Sequence, residues 1–176
     1  LSVLVSMIAG MAISWFLELV LWRNLRRNKA GTLALFLVAT GVALMLRPLI
    51  QFLFGTETRK FNIDILKTYD FFGARIPQTQ LLVLIFASAS ILTIALFIAK
   101  ARIGKDMRAY ANNPGLASVS GINVDRVVIA TWLISGALGS LAGVFQGLVQ
   151  GQFNNAMGES LLLSFFAAVV LGTIGD

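Results

Sequence analysis

The 176-residue chain contains neither cysteine nor histidine. Without cysteine there are no disulfides and no thiolate metal sites. Without histidine, imidazole-activated nucleophiles, zinc sites of the HExxH type and imidazole proton shuttles drop out. Charge is scarce as well: Asp, Glu, Lys and Arg make up 12% of residues, against roughly 25% in soluble domains. The eight acidic residues lie mostly between apolar runs, with no paired intramembrane carboxylates of the sort that run proton relays. The Gly104-Lys105 pair is followed by Asp106 and has Ala99 where a phosphate-binding loop needs its first glycine, so a Walker A site is excluded. No catalytic and no metal-ligating residue is assigned, and a membrane enzyme is the poorest fit.

What fills the chain is apolar. Hydrophobic residues reach 57% and the mean hydropathy is +0.84. The expected fold is an all-α integral membrane bundle of about five spans, since a helix crosses a bilayer core with about 20 apolar residues and strand alternation is absent. The expected spans are residues 1–22, 32–54, 80–99 and 127–150, with a fifth beginning at Ser160. Residues 55–79 read as a mixed-charge loop at the interface. The absent initiating Met at Leu1 and the end at Asp176 straight after an apolar run lead to the expectation of a fragment, a single transmembrane domain over 1–176.

The net charge of +6 speaks for topology and not for nucleic acid. Arg23, Arg26, Arg27 and Lys29 fall on the same side as Lys100, Arg102, Lys105, Arg108 and Arg126. These nine basic residues oppose five on the other side, which places the connection 101–125 in the cytoplasm. That connection carries its own punctuation. Asn113 suits an N-cap, Pro114 the first helical position and Gly121 a left-handed C-terminal close. A short helix over 114–120 follows, expected to bury Leu116 and Val119 against something and to show Ala117 and Ser118 beside them. It reads as a docking element or as an interfacial helix that completes a turn.

In the fourth span Thr131, Ser135, Gly139, Gly143, Gly147 and Gly151 recur every four residues, widened by Gly136, Ala137, Ser140 and Ala142. Such a face admits another backbone closely. Gln146, Gln150 and Asn154 form a second row of uncharged amides, suited either to a polar solute or to a neighbouring helix. Arg47, before the helix-kinking Pro48, is an intramembrane charge that either snorkels, pairs or meets solute. Glu18 is expected to pair with Arg23 or a neighbouring basic residue.

The run GKDMRAYANNPGLASVSGINVDRVV, the later LAGVFQG and the final FFAAVVLGTIGD resemble the membrane subunit of branched-chain amino-acid ABC importers, the LivH-type permeases, whose superfamily includes ribose-type sugar permeases. Gly104, Arg108-Ala109, Ala117, Gly121-Ile122-Asn123, Ala142-Gly143 and Ala168–Gly172 carry the likeness, and Glu18 with Trp22-Arg23 matches a looser upstream stretch. Lys105-Asp106, Asn155 and Thr173 depart from it. The resemblance implies a multi-pass protein of the bacterial inner membrane in contact with lipid. It also implies two ATPase subunits, a second permease subunit and a periplasmic solute-binding protein as partners. ATP, the only cofactor, would be bound by those partners. Arg108, Asn112, Asn113, Leu116, Ala117, Gly121 and Asp125 become candidates for coupling to the ATPase. Gln146, Gln150, Asn154 and Arg47 become candidates for the path, and Ser135, Gly139, Gly143, Gly147 and Gly151 for helix packing. Urea, short amides or sugars are alternative solutes, and a self-contained channel or secondary transporter is the alternative of another class.

Overall fold

A computed structural model of the chain describes residues 2–28, 30–60, 68–71, 74–153, 157–160 and 162–174. They divide into two compact units, Leu1–Ala30 with Asp64–Val149, and Gly31–Ile63 with Gln150–Asp176.

The first unit opens with helix α1 (Ser2–Leu17), which runs through a π-helical turn (Glu18–Trp22) into α2 (Arg23–Arg27). No proline interrupts it, and the combined helix of 26 residues is about 39 Å long, against a bilayer core of about 30 Å. The span thus carries its basic cluster as helix, where a break after Trp22 was expected. The wider i→i+5 pitch of the π-turn absorbs one extra residue without ending the hydrogen-bonded column.

Strands β2 (Thr68–Phe71) and β3 (Ala74–Pro77) pair antiparallel, Tyr69 opposite Ile76. The interfacial loop therefore holds a hairpin. Helix α4 (Gln78–Lys100) follows, then α5 (Arg102–Asn112), α6 (Pro114–Val119) and α7 (Val124–Gln150). Asn123 caps α7 by accepting from the Arg126 N–H at 3.0 Å, so the helix starts one turn earlier than its apolar run. Asp125 then falls in the first turn, where the helix dipole favours a carboxylate.

The second unit holds α3 (Thr32–Phe54), with Pro48 inside it, ending at Gly55 with φ +84°. Its β1 (Arg59–Lys60) pairs antiparallel with β4 (Gln152–Phe153). Then come α8 (Met157–Ser160) and α9 (Leu162–Ile174), the start of the expected fifth span.

Among the described residues four helices are long and apolar enough to cross a membrane, and large side chains on them point outward: Leu33, Leu44 and Phe52 on α3 and Ile91 on α4 are all strongly exposed. Among the described residues the buried apolar side chains are Ala117, Val127 and Met157, and the largest fully buried side chain is the charged Glu18. This is the inversion expected of a chain whose solvent is lipid, where close packing and polar pairing do the work that a hydrophobic core does in water. The chain is a multi-pass, all-α membrane protein.

Candidate functional site

Helices α1 and α7 touch backbone to backbone. A Cβ added at Gly10 would sit 2.5 Å from the Gly136 carbonyl oxygen and 2.7 Å from the Ser140 side chain; one at Gly136 would sit 2.3 Å from Ser14 Oγ. The closed row on α7 is therefore Gly136 and Ser140, which the sequence suggested only as widening the small surface. Of the predicted packing row, Gly139 and Gly143 face open space, Ser135 is exposed, and Gly147 and Gly151 are buried. The correction has a simple cause. Ser6, Gly10 and Ser14 form a four-residue row on α1, and a groove closes where both helices are small.

Glu18 continues that α1 row by one more turn, which explains how a carboxylate comes to be 1% exposed. The expected pairing with the basic cluster forms, with Arg26 and not Arg23 as the partner. Arg26 donates from Nη1 to Glu18 Oε2 at 3.0 Å and from Nη2 to Oε1, the bidentate fork that suits a buried carboxylate. Arg23 instead reaches across to Asp125 on α7 at 3.5 Å. Between them Trp22 stacks on Trp132 with centroids 5.7 Å apart and planes at 19°. Tyr110 on α5 lies within electrostatic range of the Arg26 guanidinium. Trp22 entered the sequence reading only through the upstream resemblance, and Trp132 and Tyr110 were not singled out as aromatic partners. Their signal was there, since two tryptophans on one side of a bilayer fit an interfacial belt.

The connection after α4 is more helical than expected. Ala101 is extended (φ −69°, ψ 148°) and turns the chain directly into α5. Gly104 lets that corner close, because a Cβ there would lie 2.2 Å from the Ile98 carbonyl oxygen. Arg108 folds back to donate to the carbonyls of Ile98 and of Ala99, the latter at 3.4 Å, satisfying acceptors that the end of a helix leaves free. Asn112 is exposed at the end of α5.

Helix α6 has the predicted caps. Asn113 Oδ1 accepts from the Leu116 N–H at 2.9 Å. At the other end the Gly121 N–H donates to Ser118 O and the Ile122 N–H to Ala117 O, with Gly121 at φ +83°, a Schellman close. The expectation that Ala117 is on show is overturned. Ala117 is buried, whereas Leu116 is 63% and Val119 81% exposed.

An apolar cleft of about 470 Å³ lies under α5, lined by Ile98, Met107, Arg108, Tyr110, Val127 and Trp132 among others. Gln146 is half-buried near the end of α7, and Gln150, the last residue of α7, is exposed. Asn154 lies outside the described residues. Arg47 is partly buried in α3 of the second unit.

Residues 1–176 match the family described as the permease component of branched-chain amino acid transport systems. The chain is 31% identical over 176 residues to the high-affinity branched-chain amino acid transport system permease protein LivH of Salmonella typhimurium, covering 97% of this chain and 56% of the relative. It is 28% identical over 181 residues to the probable branched-chain amino acid transport permease protein LivH of Methanocaldococcus jannaschii, covering 98% and 55%. The galactose/methyl galactoside import permease protein MglC of Haemophilus influenzae is 32% identical over 90 residues, 51% of this chain and 27% of that relative. The chain thus spans about half the length of these LivH relatives. No solved structure matches.

Proposed function

The chain belongs to the family of branched-chain amino acid transport permease components, and from that premise we propose that it is the membrane-spanning part of an ATP-driven importer in the inner membrane. Its solute would be a branched-chain or related small amino acid. Separate ATPase subunits, a second permease and a periplasmic binding protein complete the assembly, and ATP is bound by those ATPases. The observation that carries the reading is α6: a doubly capped helix whose Leu116 and Val119 stand exposed on a base fixed by Ala117. A rigid cytoplasmic knob with two apolar side chains outward suits a groove in another protein.

In this reading Asn113 and Gly121 set the ends of the coupling helix, and Leu116 enters the ATPase. Arg108 holds α5 to the end of α4, and Asp125 carries the motion to Arg23. Asn112 lies at the edge of the docking surface. Closure of the ATPases moves α6 as a lever and rocks the spans by alternating access. Gln146, Gln150, Asn154 and Arg47 are assigned to the path. The likeness to a galactose permease over half of the chain favours a sugar as the second candidate solute, and calorimetry on the partner binding protein with leucine and with galactose separates the two.

The missing cysteines make the central test direct. Ser118→Cys is introduced in the full-length permease, cleared of thiols elsewhere, and cross-linked in inside-out vesicles. A nucleotide-sensitive adduct with an ATPase subunit is expected. Labelling by an impermeant reagent only from the periplasmic side would overturn the topology and the docking with it. A cytoplasmic thiol that finds no ATPase would hand the reading to a self-contained channel or secondary transporter.

A further inference from the structure

Glu18 and Arg26 stand eight residues apart in one continuous helix. In unbroken α-helix that separation leaves the two side chains about 80° apart around the axis. The π-turn from Glu18 to Trp22 takes up one residue, so the offset falls to about 20° and the two side chains come onto one face. The bend in register and the ion pair are therefore one device. The same shift presents Trp22 to Trp132 and Arg23 to Asp125. Three contacts of different kinds thus gather at one end of the α1–α7 groove, just past the Schellman close that follows α6.

We propose that Glu18 is a positioning residue: by holding Arg26 across the π-turn it fastens the cytoplasmic end of the first helix to the root of α7, so that a displacement of α6 passes into α1. This rests on the importer reading above. The carboxylate touches no solute and no nucleotide. It fixes the register in which Trp22 and Arg23 meet α7. Removing it frees the π-turn to relax to ordinary α-helix, which rotates everything beyond Trp22 away from its partners on α7. Helix α6 would then move without α1.

The test uses the full-length permease with its partner subunits in liposomes. Nitroxide labels at Asn24→Cys on α2 and Thr131→Cys on α7, both exposed, report the distance across the cytoplasmic end of the groove. The unaltered protein should give one narrow distribution, and Glu18→Gln should broaden it. This measurement needs no ATPase, so its failure is distinct from failure of the importer reading. In the coupled system, leucine taken up per ATP hydrolysed should fall about tenfold in Glu18→Gln while hydrolysis stays within about twofold. Should Glu18→Gln fail to assemble, Arg26→Lys keeps the charge and loses the fork, and the same drop in the ratio is expected. A narrow distribution in the variant, or uptake and hydrolysis falling in proportion, would overturn the proposal.

Discussion

Helix α7 carries two rows of small residues, one position apart, and they have opposite fates. Gly136 and Ser140 are shut against Gly10 and Ser14 so tightly that a single added carbon meets backbone at 2.5 Å. Gly139 and Gly143 have nothing within 4 Å. By spacing alone the second row is the longer and more regular. Small residues every four positions therefore mark where a backbone can come close; the facing helix decides whether it does. Here the facing row is Ser6, Gly10 and Ser14, and it ends in a buried charge.

The largest expected effect breaks the closed row at that charge. Glu18→Ala removes both charged acceptors of the Arg26 guanidinium, which is one-third exposed, a loss of about 1.5–3 kcal/mol for a hydrogen bond to a charged group. The thermal midpoint of the detergent-solubilised full-length protein should drop sharply. Overpacking the row comes next. Gly136→Val forces the helices apart and should cost about 1–3 kcal/mol, seen as the same midpoint falling. The third prediction concerns α6, where Asn113→Ala removes the cap on the Leu116 N–H, worth about 1 kcal/mol. It should weaken the Ser118→Cys adduct without touching the α2–α7 label distance. The smallest effect belongs to the open row. Gly139→Ala and Gly143→Ala should be neutral, or stabilising by up to about 1 kcal/mol through helix propensity. A loss of assembly from either one would identify that face as closed by a subunit or segment beyond this chain.

Much of the fold was legible because it rests on chemistry that declares itself locally. The spans announce themselves by apolar length, and α6 by Asn113-Pro114 and Gly121. Helix α5 was missed because its charged residues read as loop, while its apolar face, with Ile103 and Met107, is only about three turns long. The ion pair of Glu18 with the basic cluster was legible, but the member it takes was not: in unbroken α-helix Arg23 lies about 140° and Arg26 about 80° around the axis from Glu18, and the π-turn brings Arg26 onto its face. The burial of Ala117 was hidden because a helix of six residues is too short for its periodicity to say which side faces the rest of the chain.

The antiparallel pair also has a mechanical consequence for the membrane around it. The apolar run of the first helix, residues 2–22, is about 32 Å long and that of α7, residues 127–150, about 36 Å, so against a bilayer core of about 30 Å it is α7 that must lean or thicken the lipid about it. Held together at Gly10–Gly136 and again at Arg23–Asp125, the two cannot lean separately. Acyl chains a few carbons longer or shorter therefore change a single shared tilt. The pair answers to bilayer thickness as one body, and the tail length of the surrounding lipid becomes a setting on the angle at which α7 leaves α6.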